Sequence, residues 1–530
     1  MNKIIRIEEI SLGLDEGNAV LKKQVAVILG IEESEIINIR IVKRAIDSRH
    51  KRKILFNYSV DVVVKNPDLI TEFSVRHRTR WQEPYVYEIK QVNKQPLNRP
   101  VIVGSGPSGL FCALLLAKAG LRPLVIERGN DVDSRVQNVT NFFKTGKLNT
   151  SSNVQFGEGG AGTFSDGKLY TLINDRRSQY LFQEFVAAGA PSEIIWSATP
   201  HIGTDKLRQV VKNIRQQIID LGGEVRFAAC LTDLKIDNLQ IKKITINSKE
   251  EVNITDLVLA IGHSARDTYQ MLYDQKLLMT AKPFAMGVRI EHLAENINKA
   301  QYGDFYNNPK LGTAKYKLVE HLEGERSVYT FCMCPGGYVM AAASEPGYLV
   351  VNGMSEYAQD GANSNSALLV PIAVSDFKSS HPLAGVEFQR YWEKKAYDLG
   401  GSNYQAPAQL VGDFLIGRPS TEIKSVKPSY PLGVKLTSLE TCLPDYVVSS
   451  LKKALPVMAQ KISGFSHPEA VLTGVETRSS SPVRIDRNQQ LESNIAGLYP
   501  IGEGAGHAGG IVSSAIDGMI AAETIIAKYL

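Results

Sequence analysis

From Ile54 to Val64 apolar and polar residues alternate with a period of two, as Ile-Leu-Phe-Asn-Tyr-Ser-Val-Asp-Val-Val-Val, which predicts a half-buried strand. Upstream, Lys3 to Glu9 and Ile36 to Arg44 read as strands and Asn18 to Leu29 as an amphipathic helix. The first segment is therefore a small β-α-β-β domain. Val92 to Pro100 is polar, carries two prolines and reads as a linker. At Val101 the texture changes to strand, glycine turn, helix, strand, fading after Glu127. A second helix and strand follow: Asp205 to Leu221 is amphipathic, Gly222-Gly223 stops it, and Glu224 to Phe227 is extended. Leu231 to Ile236 and Ile241 to Ile246 alternate like a meander before the apolar run Asp256 to Gly262. Residues from about 280 to 465 give short strands, turns and one long helix, Gly385 to Leu399, the texture of an inserted substrate or cap domain. Gly497 to Leu530 returns to strand, glycine turn and helix.

The spacing G-x-G-x-x-G occurs three times, and context separates the occurrences. Gly104-Ser-Gly106-Pro-Ser-Gly109 follows the strand Val101 to Val103 and opens the helix Leu110 to Ala119; a second strand, Pro123 to Ile126, ends in Glu127, eighteen residues beyond Gly109. That is a complete dinucleotide-binding unit. Gly104 allows the tight turn, Gly106 lets backbone N–H groups approach a pyrophosphate, and Gly109 permits close packing of helix on strand. Pro107 and Ser108 start a helix whose N-terminus faces that charge. Glu127 is placed to accept from ribose hydroxyls and to repel a 2′-phosphate. Gly157-Glu-Gly159-Gly-Ala-Gly162 lacks a good strand before it and a good helix after it, so it is not a second such turn. Gly504-Ala-Gly506-His-Ala-Gly509 follows Leu498 to Ile501, but no second strand and acid follow. That unit completes a site built elsewhere.

Val101 to Gly109, Leu257 to Gly262 and Gly497 to Gly506 together resemble, in order, the three motifs of the glutathione-reductase-type FAD fold. Phe156 to Lys168, Phe331 to Gly337 and Thr477 to Arg484 further resemble a bacterial family of uncharacterised FAD-dependent dehydrogenases. The resemblance implies an α/β protein with a Rossmann FAD-binding domain, an inserted α+β substrate domain and a small N-terminal α/β domain. Its divisions are residues 1–95, 96–280 with an insertion at about 140–200, 281–464, and 465–530. It implies non-covalent FAD held by Gly104, Gly106, Pro107, Ser108, Gly109, Glu127, Arg128, Gly262, Gly502, Glu503, Gly509, Gly510 and Ile511. Glu503 matches the acid near the ribityl and pyrophosphate groups. The helix after it points at the flavin, where its positive end would stabilise the reduced, anionic form.

Four candidates for the chemistry stand out. In Gly287 to His292, Val288 and Ile290 share one face of a strand, and Arg289 and Glu291 the other. If the second face lines the flavin cavity, Arg289 holds a substrate carboxylate and His292 exchanges protons; a surface ion pair is the alternative. His507, in the loop the motif turns toward flavin, is a further acid-base candidate. Arg478, Ser480 and Arg484 suit either an anion or a loop stapled by ion pairs. The pair Cys332-Met-Cys334 invites a thiol relay, but residues two apart in an extended strand lie roughly 6.5 to 7 Å apart between Cα atoms, at the limit for a disulfide. The spacing favours a packed pair, and no second pair of ligands makes it a zinc site.

The sequence holds no membrane-span pattern, and its N-terminus, broken by charges, lacks the core of a secretion signal. The expectation is a cytoplasmic protein with reduced thiols, its five cysteines scattered. The net charge of +5 resides in residues 1–100, which hold 18 Lys/Arg against 13 Asp/Glu. Arg40 to Lys53 contains seven of those basic residues. One reading follows from the FAD unit: an oxidoreductase that moves a hydride between a small organic molecule and flavin, with NAD(P)H admissible only as a transient reductant because no second full dinucleotide unit exists. Another follows from the charge: an RNA- or protein-binding flavoprotein that grips an acidic partner through Arg40 to Lys53. The oligomeric state is not legible.

Overall fold

In the computed structural model, which describes residues 3–70, 72–171 and 173–530, the first domain is an antiparallel sheet with one helix. Its strands lie in the order Ile36–Asp47, Leu55–Val64, Ile4–Gly13, Arg80–Gln82. Leu21, Val25 and Leu29 of the helix Asn18–Leu29 are buried with Ile5, Ile7, Val60 and Val62. This domain docks on the rest of the chain. The Arg44 guanidinium is sandwiched between Phe56 and Trp196, 4.9 and 4.4 Å from the ring centres. Around it the Arg44 N–H donates to the Trp196 carbonyl at 2.7 Å, and the Ala198 N–H to the Arg44 carbonyl at 3.0 Å. Arg40 is paired with Asp61 at 2.6 Å and Arg49 with Asp47 at 2.6 Å, so part of the basic cluster is paired on the surface of its own domain. The expected linker is likewise laid down: the Val92 N–H donates to Ala119 O and that of Asn93 to Tyr529 O, at 3.1 and 3.0 Å.

The central domain is a five-stranded parallel sheet in the order Leu498–Pro500, Leu257–Leu259, Val101–Val103, Leu124–Ile126, Glu224–Arg226. Apart from the edge strand Glu224–Arg226 the strands are short and apolar, as a sheet covered on both faces requires. On it lie the helices Pro107–Lys118 and Ile511–Ala527, both buried over most of their length. They approach closely because Gly518 has no side chain; a Cβ there would run into the Ser108 carbonyl. Gly109 does the same against the carbonyl of Gly104, whose φ is +101°.

The inserted domain is built on a seven-stranded sheet in the order Val319–Glu320, Val328–Cys334, Asn363–Ile372, Phe284–Leu293, Val471–Glu476, Ala406–Leu410, Val434–Leu436. Val471–Glu476 pairs with Phe284–Leu293 and Ala406–Leu410, so this sheet extends beyond the division placed at 464. The helix Ala384–Leu399 occurs as expected, and a second long helix, Asp445–Lys461, joins it. Pro456 and the weak turn signals around Asp445–Lys461 hide it from a reading by pattern. The two domains are bolted together by Glu393, fully buried, which accepts from Arg266 at 2.7 Å and from Arg478 at 2.9 Å. Burial opposes that carboxylate's charge, but the two guanidiniums outweigh it and hold its pKa far below the usual range. No helix among the described residues is long and apolar enough to cross a membrane.

Candidate active site

One cleft, with about 1530 Å³ between its walls, open mouth included, runs from the parallel sheet to the inserted one. Along its first part lie Gly104, Gly106, Pro107, Ser108, Glu127, Arg128, Gly262, Glu503, Gly509, Gly510 and Ile511. Two helices begin here, at Pro107 and Ile511, and neither has a side-chain cap among the described residues. Their first N–H groups and positive dipole ends make a ready anion site. A Cβ on Gly106 would have only the Gly160 Cα within reach, at 3.8 Å, and a Cβ on Gly262, Gly509 or Gly510 would meet nothing within 4 Å. The bare backbone there faces open space, as close approach of a pyrophosphate requires.

Glu127 is buried, and its carboxylate serves the chain itself. Oε2 accepts from the N–H and hydroxyl of Ser105, both at 2.9 Å, and Oε1 from the N–H groups of Gly129 and Gly157, both at 3.0 Å. This ties the first glycine turn to the second glycine-rich run. Arg135, fully buried, fastens the same run by donating to the carbonyls of Asn153, Val154, Glu158 and Gly160 at 2.6 to 2.9 Å. Gly157 to Gly162 is thus no Rossmann turn, as its flanks predict, yet Gly157, Gly160 and Gly162 form a wall of the cleft. Across from it His263 lies 3.3 Å from Glu503, and its Nε2 is buried without a partner among the described residues. An orphaned buried nitrogen in a cleft wall suits a polar ligand.

At the inserted sheet the cleft is lined by Asp166, Lys168, Phe331, Cys332, Asn352 and Glu476. Lys168 is paired with Asp166 at 3.1 Å and reaches the sulfurs of Cys332 and Cys334 at 3.9 and 3.7 Å. Asp166 also accepts from Ser355 and, at 2.8 Å, from Gln359. Burial opposes the Lys168 charge, but Asp166 reverses the balance and holds its pKa well above the usual range. Burial pushes the carboxyl of Glu476 up to about 7, against the opposing pull of Arg289 at 3.1 Å. A proton held at that strength is exchangeable near neutrality.

Family models match residues 283–479 as "FAD-dependent protein, C-terminal domain-like", residues 102–151 as a NAD(P)-binding Rossmann-like domain, and residues 4–63 as a domain of unknown function. A protein of Clostridium beijerinckii, described as uncharacterized, is 50% identical over 528 residues, 99% of each chain. This chain belongs to the FAD-dependent protein family. Among solved structures, the chain is similar to the flavin-dependent brominase Bmp2 at 12% identity and TM-score 0.36, over 82% of this chain and 80% of that one. It is also similar to glycine oxidase from Bacillus cereus at 12% identity and TM-score 0.32, over 81% and 95% of the two chains. The cofactor of this FAD-dependent protein is FAD, and the bare glycine backbone, the two uncapped helix starts and the free Nε2 of His263 fit it.

Several residues singled out in the sequence lie elsewhere. Gly109 and Gly502 are packing positions, for a Cβ on Gly502 would press the Ser108 side chain and its N–H is bound to Asp517 at 2.7 Å. Arg289 is fully buried behind the wall, outside the cleft lining, donating to Asn365, Glu476 and the Cys332 carbonyl. His292 is buried between Tyr316 and Phe465, away from the cleft lining, and burial lowers its pKa to about 3. His507 is bound to the Ile485 carbonyl at 2.9 Å and orients its loop from outside the cleft. Arg478 lines the cleft, but its charge is committed to Glu393; Arg484 is exposed. Lys168, Asp166 and Cys332 fall in the runs that carry the family resemblance, whereas His263, Asn352 and Glu476 have no signal in sequence, each reaching the cleft only through tertiary packing.

Proposed function

We propose that this FAD-dependent protein is a dehydrogenase that moves a hydride between a small organic substrate and flavin. Bound FAD supplies reversible two-electron acceptance. The observation that carries this reading is the protonatable Glu476 in the same cleft wall as the locked Lys168 cation. In this reading Gly104, Gly106, Ser108 and the two helix starts hold the pyrophosphate, and Glu503 with His263 holds the sugar chain. Glu476 gives or takes the substrate proton, and Lys168 balances negative charge as electrons arrive. Phe331, 43% exposed into the cleft, is an apolar platform for the substrate. NAD(P)H enters only as a transient alternative reductant.

The test is anaerobic mixing of the yellow protein with a panel of metabolites, NADH and NADPH among them, while the flavin absorbance is followed. Bleaching by an organic metabolite, slowed at least tenfold in Glu476→Gln, supports the reading. Bleaching by nicotinamides alone, with Glu476→Gln unaffected, contradicts it.

A further inference from the structure

We propose that Cys332 and Cys334 form a second redox centre of the cleft, a dithiol and disulfide couple that exchanges two electrons with bound FAD. The inference rests on the reading that the cleft carries out oxidoreduction on FAD, and adds a centre to it. A Cα separation of roughly 6.5 to 7 Å between residues two apart belongs to an extended strand. The strand Val328–Cys334 is not extended there: its register with Asn363–Ile372 shifts between Phe331 and Cys334, and Cys332 has a φ of +44°. Such a bulge re-aims a side chain out of the alternation of the strand. The outcome is that both sulfurs converge on one ammonium, Lys168 Nζ, while Cys332 faces the cleft and Cys334 lies fully buried behind it.

A second cation serves the pair. Arg289 Nη2 donates to the Cys332 carbonyl at 2.9 Å and lies 3.6 Å from Cys334 Sγ. Its guanidinium occupies the space that a side chain on Gly353 would fill. Two buried cations, each also paired with a carboxylate, thus stand beside the two sulfurs. Cys442, which does merely pack, has its thiol pushed up to about 12 by burial. At Cys332 the neighbouring Cys334 thiol, Lys168 and Arg289 together outweigh burial and pull the thiol well below its ordinary value. The neighbouring Cys332 and burial hold the Cys334 thiol well above its ordinary value. A half-buried cysteine facing the cleft, with a second one fully buried behind it, is the arrangement of an attacking and a resolving cysteine.

The exchange balances. The S–S bond takes up two electrons and one proton from reduced FAD, breaking to leave the Cys332 thiolate, the Cys334 thiol and oxidised FAD; in reverse, the S–S bond forms as the Cys334 proton and two electrons pass to FAD. The FAD-loaded protein, oxidised with ferricyanide and freed of it, is titrated anaerobically with dithionite, and its thiols are counted by iodoacetamide labelling and mass spectrometry before and after. Wild type is expected to take two two-electron equivalents per FAD and to gain two alkylatable thiols, Cys332 and Cys334. Cys334→Ser is expected to take one. If that variant does not fold, Lys168→Gln replaces it, in which alkylation of reduced Cys332 at pH 7 slows by about tenfold or more. One equivalent in wild type, with both cysteines alkylatable in the oxidised protein, overturns the couple. Two equivalents in a protein whose flavin no metabolite reduces would sink the proposed substrate reaction and keep the couple.

Discussion

Glu476 shows how one side chain couples the site to pH. Its carboxyl is raised from an ordinary 4.5 to about 7 by burial. The folded state therefore holds a proton that the unfolded chain has released, and stability falls as pH rises between those values. Relative to Glu476→Gln, wild type is expected to be equally stable below about pH 4.5 and to lose ground up to pH 7, then level off, which urea unfolding at a series of pH values checks. A difference that does not change with pH would place the ionisation elsewhere. Glu127 makes a second case. Glu127→Ala leaves the N–H groups of Ser105, Gly129 and Gly157 without their acceptor, and each buried orphan costs about 1 to 3 kcal/mol. The FAD-free variant is expected to be destabilised by several kcal/mol, whereas a ribose contact alone predicts weaker FAD binding with unchanged unfolding. The type and position of Glu127 are legible in sequence because the βαβ spacing fixes them. Its service to the Gly157 loop is not, for that contact spans 30 residues.

At the scale of elements, the glycine turn, its helix and the closing helix could be read because backbone geometry imposes residue type at fixed offsets. The wall at Gly157 to Gly162 could be read only as something other than a Rossmann turn, since what fixes it is Arg135, whose role depends on burial. Arg289 and His292 illustrate the converse. Their alternation on a strand is real, but Phe284–Leu293 is central in its sheet and buried on both faces, so neither face opens to the cleft. The bolt between the domains carries its own prediction. Glu393→Gln leaves the buried Arg266 and Arg478 with Glu345 alone as their shared counter-charge, a loss of about 1 to 3 kcal/mol. Denaturant unfolding should show that loss, and a loss under 1 kcal/mol would mean that water or Glu345 replaces the carboxylate.

For the whole molecule, the charge excess of the N-terminal domain points in sequence to an acidic partner, and the docked Arg44 gives part of that charge an internal use. Removing residues 1–95 uncovers Trp196 and the groove beside Tyr529, so the truncated protein is expected to lose solubility and melt earlier. Equal melting temperature and FAD content would show that docking contributes nothing to the fold. The central claim, that the cleft holds FAD without a covalent bond on the bare backbone of the glycine turn, is tested most directly by acid precipitation of wild type and Gly106→Val, with the flavin released into solution counted per chain. The account predicts about one FAD per chain from wild type, all of it in the supernatant, and almost none from a Gly106→Val protein that remains folded by circular dichroism, because the branched side chain enters the space next to Gly160 that the pyrophosphate needs. Flavin that stays with the precipitated polypeptide, or a Gly106→Val protein as yellow as wild type, would contradict it.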